Sequence, residues 1–274
     1  MNYSKVFLPN EKENVYLETF VAEKTKKFIR RPLLIIPGGG YRFVSMDREG
    51  EPVALAFMPY GYNCFVLRYS VNGEGNFPSQ LIQVAKAIKH IKDNAEEYGV
   101  DPDQLLVLGF SAGGHLAASA GVLWKLPEVY AQVDMSYGYN KPTGVMLMYP
   151  VISPKFEKHF ASFQNLLGNN EPTQEQLQSV AIEEQVDVDS SPAFILHTAN
   201  DRTVDVRNSL MLATVYAERG IPFELHVYPE GEHGISVANA ITSGGNSRLE
   251  NEAISEWVRH AAVWADNLCK NKSI

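Results

Sequence analysis

Along the chain, short apolar runs alternate with longer stretches of helical periodicity. That rhythm admits few architectures and calls for an α/β fold with a mostly parallel central sheet flanked by helices. Residues 15–22, 33–36, 64–69, 105–109, 145–149, 193–197 and 223–228 read as strands. Between them, Leu81, Val84, Ala85, Ile88 and Ile91 recur at helical spacing, which gives one apolar face to pack on the sheet. Residues 114–124, 206–219 and 249–268 supply further helices, with Gly220 as a C-cap to the second. There is no internal repeat, and a length of 274 residues suits a single domain, 1–274.

One stretch breaks the rhythm. Residues 153–191 carry no strand pattern. Phe156, Phe160, Phe163 and Leu167 suggest an amphipathic helix, and Thr173 with Gln176 suggests a capping box that opens a second. A small partial cap inserted over the carboxyl edge of the sheet fits this pattern. An ordinary crossover helix with a long loop fits it equally well, and both stay open.

Composition removes several classes of function. The formal net charge of -8 gives no long-range attraction for nucleic acid or an anionic membrane surface. It could favour neutral or cationic substrates, although solubility alone accounts for it. No apolar run reaches transmembrane length, the first residues lack a signal-peptide pattern, and two cysteines cannot staple a secreted scaffold, so a cytoplasmic protein is expected. On that reading the Asn-x-Ser sequons at Asn2 and Asn271 carry no weight. Cys64 sits in an apolar run and reads as core, and Cys269 reads as an exposed residue of the C-terminal tail. Neither His-Glu-x-x-His nor paired Cys-x-x-Cys occurs, so no metal is expected. A homodimer is left open.

The chemistry concentrates in Gly109-Phe110-Ser111-Ala112-Gly113. This Gly-x-Ser-x-Gly follows a strand and opens a helix, the context in which a tight turn pushes a serine hydroxyl out of the top of a sheet. Such a serine needs a base. Of seven histidines, His233 is favoured, because its loop directly follows the last strand. His197 and His226 lie inside strands, and His197 reads as a satisfied core residue. His115 is carried away from the hydroxyl by its helix, and His90, His159 and His260 read as surface residues of helices. Asp201, in the loop after strand 193–197, is the candidate to orient the imidazole, with Asp205 as nearest rival. The chain order Ser111, Asp201, His233 is the one this type of site uses.

An acyl-transfer site also needs donors for an oxyanion. Pro37-Gly38-Gly39-Gly40-Tyr41 follows a strand and lets backbone N–H groups approach a substrate, with the Ala112 N–H opposite. A phosphate cradle is a poor alternative, since neither Gly-Lys-Ser/Thr nor G-x-G-x-x-G follows, and no cofactor is expected. A flexible turn is the bland alternative. Arg48, Glu49 and Glu51, just beyond, could recognise a sugar, but helix-terminal charge and a structural ion pair explain them as well. Tyr41, Tyr69 and Trp124 could line a pocket, although packing is the commoner use of aromatics.

Taken in order, Pro37–Tyr41, Asp47-Arg48-Glu49-Gly50-Glu51-Pro52, Leu67-Arg68-Tyr69-Ser70, Gly109-Phe110-Ser111-Ala112-Gly113-Gly114-His115, His197-Thr198-Ala199-Asn200-Asp201 and Glu232-His233-Gly234 resemble the acetyl esterase/lipase family of the α/β-hydrolase fold. The branch they are most similar to contains acetyl-xylan and feruloyl esterases. The resemblance runs from about Leu33 to the last helix. It implies hydrolysis of short acyl esters, acetylated sugars among them, without metal or cofactor. It carries the catalytic triad onto Ser111, Asp201 and His233, and the oxyanion donors onto Gly39, Gly40 and Ala112. Two positions depart from the family: Pro37 stands where many related lipases have histidine, and Asp205 where proline is usual. Two rivals remain. One is a peptidase or formamidase on the same triad, although peptidase relatives carry a large extra domain for which the segment before residue 33 is too short. The other is a non-catalytic binding protein of the same fold.

Overall fold

The computed structural model describes residues 1–25 and 28–270, so the Asn271 sequon lies outside the described residues. Among the described residues there are eight strands: β1 Asn2–Phe7, β2 Tyr16–Val21, β3 Arg31–Ile36, β4 Tyr62–Arg68, β5 Leu106–Phe110, β6 Gly144–Met148, β7 Ala193–Thr198 and β8 Phe223–Tyr228. They form one sheet in the order β1-β2-β4-β3-β5-β6-β7-β8. β1 and β2, and β2 and β4, are antiparallel. All pairings from β4 through β8 are parallel. Every residue of β5, β6 and β7 is buried. This follows from helices on both faces of a parallel sheet, and it explains why these strands read as continuous apolar runs. Side chains alternate between two cores: Leu34 and Ile36 of β3 enter one, Leu33 and Ile35 the other.

β1 has no counterpart in the sequence pattern. Its side chains are almost all exposed, so no apolar alternation marks it. Local pairs hold it to β2: Ser4 Oγ and Thr19 Oγ1 are 2.7 Å apart, Tyr3 packs edge-on to Phe20, and the Lys5 ammonium lies 3.8 Å from the centre of the Tyr16 ring. Two expectations near the C-terminus are corrected. The helix expected over 249–268 is broken into a turn at Ser247–Leu249, a short helix Glu252–Ser255 and the long helix Trp257–Lys270. The cause is local: the Asn246 and Asn251 side chains accept backbone N–H groups and restart the chain twice. Cys269 is buried, not exposed, because the long helix continues through it and aligns it with Ala261 and Ala265 on the inward face.

Between β6 and β7 the segment 153–191 folds as three short helices, Phe160–Leu167, Gln174–Val180 and Ile182–Gln185. Both halves of the Thr173–Gln176 capping box form. Phe163 and Leu166 enter the core, whereas Phe156 precedes the first helix and packs against the Arg207 guanidinium. The Asn165 side chain donates to Gly40 O at 2.8 Å and so ties this segment to the glycine loop after β3. Among the described residues no helix is long and apolar enough to cross a membrane.

The helix Ser111–Val122 is buried over its whole length. His115 within it bridges layers: its Nε2 donates to Val180 O and its Nδ1 accepts from Tyr41 Oη, each at 2.8 Å. Burial lowers its pKa to about 4, a pull that the Val180 carbonyl only partly offsets. A free imidazole binds its proton near pH 6.5. Between 6.5 and 4 the unfolded chain therefore holds a proton that the folded chain rejects, and stability falls as the pH falls through that window. At pH 5 the contribution of His115 is a loss of about 2 kcal/mol relative to neutral pH. In urea unfolding at pH 7 and pH 5, His115→Gln is expected to lose about 2 kcal/mol less than wild type between the two pH values, whatever it costs at pH 7. An equal loss in both proteins would show that His115 is not the titrating group.

Candidate active site

Four carboxyl-edge loops converge, following β3, β5, β7 and β8. The sharpest is the turn after β5. Ser111 has φ 51°, a left-handed conformation that serine adopts only under constraint. The constraint is close backbone packing. A Cβ on Gly109 would lie 2.1 Å from Gly113 O, and one on Gly113 would lie 2.2 Å from Ile36 O and 2.4 Å from Pro37 O. Only glycine lets the helix seat its first turn against the end of β3. Ala112, in that first turn, has an N–H with no intrahelical acceptor.

Ser111, His233 and Asp201 are brought into one hydrogen-bonded line. Ser111 Oγ is 2.8 Å from His233 Nε2, and His233 Nδ1 is 2.7 Å from Asp201 Oδ2. With the imidazole proton on Nδ1 facing the carboxylate, Nε2 is left to accept from the serine hydroxyl. Asp201 is buried. Burial by itself would raise its pKa, but hydrogen bonds from His197, His233 and the Val204 N–H outweigh it and hold the carboxyl well below the usual range. Its Oδ1 accepts from Thr203 N and Val204 N at 2.8 and 2.9 Å. Asp205 lies elsewhere, with its carboxylate on the Arg207 backbone and guanidinium.

The glycine loop divides its donors. Gly38 N–H is used, at 2.8 Å to Glu49 Oε2. Among the described residues, the Gly39 and Gly40 N–H groups have no protein acceptor. Gly39 has φ 129°, and a Cβ there would sit 2.1 Å from Phe43 O. Among the described residues Glu49 has no ion pair within 4 Å, although the neighbouring Arg48 and His233 charges act on it. It is a buried carboxylate that accepts from Gly38 N–H and, at 2.8 Å, from Tyr149 Oη. Burial raises its pKa, and these two hydrogen bonds only partly counter the rise. Tyr149 Oη in turn accepts from Ser236 N at 3.0 Å, and its ring lies edge-on to His233 with centroids 4.9 Å apart. The glycine loop and the histidine loop are thus joined through one carboxylate and one phenol. A glutamate thirteen residues past a strand gives no hint of this in sequence.

Other residues differ from their expected places. His159 is not a surface residue. It lies in the wall of a cavity of about 320 Å³ that opens on Ser111 and His233, with its ring 5.8 Å from that of His233. Burial first, and then the neighbouring His233, lower its pKa to about 4. His197 is buried and satisfied as expected, by Ser209 Oγ and Val204 O, yet its Nε2 also stands 3.4 Å from Asp201 Oδ2. Tyr41, Tyr69 and Trp124 are packed in the interior and do not line the cavity; Phe43 does. Among the described residues no group of three or more His, Cys, Asp or Glu side chains could hold a metal ion.

Comparison with known proteins gives a consistent picture. Endo-1,4-beta-xylanase B of Butyrivibrio fibrisolvens is 38% identical over 230 residues, covering 80% of this chain but only 35% of that protein. The chain thus spans about a third of that relative. Among solved structures, the α/β hydrolase MGS-M1, from a deep-sea metagenome of the Medee basin, superposes with a TM-score of 0.79 at 33% identity, covering 98% of both chains. An acetyl ester-xyloside bifunctional hydrolase from Caldicellulosiruptor lactoaceticus superposes with a TM-score of 0.81 at 28% identity, covering 97% of this chain and 96% of the other. The model of the BD-FAE family matches residues 17–216. With the α/β-hydrolase fold continuous across the whole sheet and the family match spanning most of the chain, the protein belongs to the BD-FAE family.

Proposed function

We propose that the protein is a serine carboxylesterase that cleaves short acyl esters, acetyl esters of carbohydrates among them, through Ser111, His233 and Asp201. The observation that carries this reading is the hydrogen-bonded line from Asp201 through His233 to Ser111, at 2.7 and 2.8 Å, opening on the cavity. The acetyl-ester hydrolase and xylanase among the similar proteins support the substrate class.

His233 takes the proton of Ser111 as the hydroxyl attacks the ester carbonyl. The Gly39, Gly40 and Ala112 N–H groups hold the oxyanion that forms. His233 then gives the proton to the leaving alcohol, and an acyl-enzyme remains. Water repeats the sequence and releases the acid. Asp201 stays ionised throughout, fixes the imidazole tautomer and stabilises its charged form. The chain works as one domain, with 153–191 as a partial cap. Its helix Phe160–Leu167 and the preceding His159 close one side of the cavity and leave little room for a long acyl chain.

Ser111→Ala should abolish labelling by a fluorophosphonate and reduce turnover to the residue left by binding and oxyanion stabilisation, about 10³–10⁴ above water. Near-normal turnover would end the serine-hydrolase reading. Across p-nitrophenyl esters, kcat/KM should peak at acetyl or another short acyl group, and a peak at eight carbons or longer would refute the size argument. Asp201→Asn should lower kcat by about 10³–10⁴-fold, because the amide favours the wrong imidazole tautomer. Asp205→Asn should retain most activity and cost at most about 1 kcal/mol, since its oxygen still accepts the Arg207 N–H. The reverse outcome would transfer the acid role to Asp205.

A further inference from the structure

Two of the side chains that line the cavity are cationic. Arg42 and Arg48 both line it. Among the described residues neither guanidinium makes an ion pair or a hydrogen bond. Ser45 adds an independent sign. It occupies the N-cap position of the helix Met46–Glu49 but makes no cap hydrogen bond, and its hydroxyl is buried, without a partner, at the wall of the same cavity. Among the described residues of that wall, the carboxylate of Glu49 accepts from Gly38 N–H and Tyr149 Oη, and the Arg48 charge acts on it without a hydrogen bond.

Arg48 lies close to the histidine loop. Its Nη1 and Nη2 lie 3.7 and 3.9 Å from the point that a Cβ on Gly234 would occupy. The guanidinium is therefore against the loop that carries His233, the residue that would protonate a leaving alcohol. We infer that the cavity selects esters whose alcohol part carries a carboxylate, such as acylated hydroxy acids or sugar acids. Arg48 pairs with that carboxylate, Ser45 is a further donor, and Arg42 adds attraction from the exposed side. A guanidinium fork matches a carboxylate in shape as well as charge. A positive cavity in a protein of net charge -8 also focuses anions locally while the remaining surface repels them. The proposal rests on the carboxylesterase reading and narrows it.

The test uses two acetyl esters that differ only in charge, O-acetyl-lactate and O-acetyl-lactamide, with acetate release as the readout and p-nitrophenyl acetate as a third substrate. In the wild-type protein kcat/KM for the anionic ester should exceed that for the amide about tenfold or more at low salt, through KM, and the ratio should shrink as salt is added. Arg48→Gln should bring the ratio close to one, and Arg48→Lys, which keeps the charge but loses the fork, should retain part of it. A wild-type ratio of one or below overturns the proposal. So does an Arg48→Gln variant that lowers both acetyl esters equally, since Arg48 would then serve only to balance the buried Glu49. If none of the three substrates is turned over, the carboxylesterase reading fails, and this inference with it.

Discussion

The first turn of the helix Ser111–Val122 lies backbone to backbone against the end of β3. The rest of the site depends on that contact. With Gly113 within contact of the Ile36 and Pro37 carbonyls, the strand ends of β3 and β5 cannot shift independently. The same contact accompanies the left-handed turn of Ser111, at φ 51°. A strained serine of this kind persists only where its surroundings over-determine it. Here the surroundings are a fully buried helix and three central strands buried along their whole length.

Two buried carboxylates hold the other loops, and they do so differently. Asp201 accepts from two backbone N–H groups and two imidazoles, which keeps it ionised despite burial. Glu49 accepts from one N–H and one phenol, which does not fully offset its desolvation. The number and kind of donors decide the balance, as expected when charge is taken out of water. Through Tyr149 and Ser236, Glu49 links the glycine loop to the loop of His233, so the two loops share one support.

Much of this was legible in the sequence where local rules are strong. The strands β2 to β8 follow from apolar runs, Gly220 from the αL cap it provides, and Thr173 with Gln176 from reciprocal capping. Legibility failed where exposure or distant partners decide. β1 is held by pairs across to β2 and carries no apolar period. His159 looked like a residue of a surface helix, yet its neighbours are Gly40 and His233, far away in sequence. Glu49 looked like a helix-terminal charge, yet its partner Tyr149 is a hundred residues away.

By itself, then, the sequence determined the fold class, the elbow at Ser111 and the chain order of Ser111, Asp201 and His233. These rest on periodicity, turn chemistry and position after a strand, all of which act over a few residues. Tertiary structure alone decided that Glu49 is a buried support and that Arg42, Arg48 and Ser45 line one cavity, and it put Asp201, the aspartate already favoured by its place after a strand, against the imidazole. The physical reason is that hydrogen bonding, desolvation and unpaired charge depend on which atoms approach within a few ångströms, and those atoms come from loops that only the packed sheet brings together.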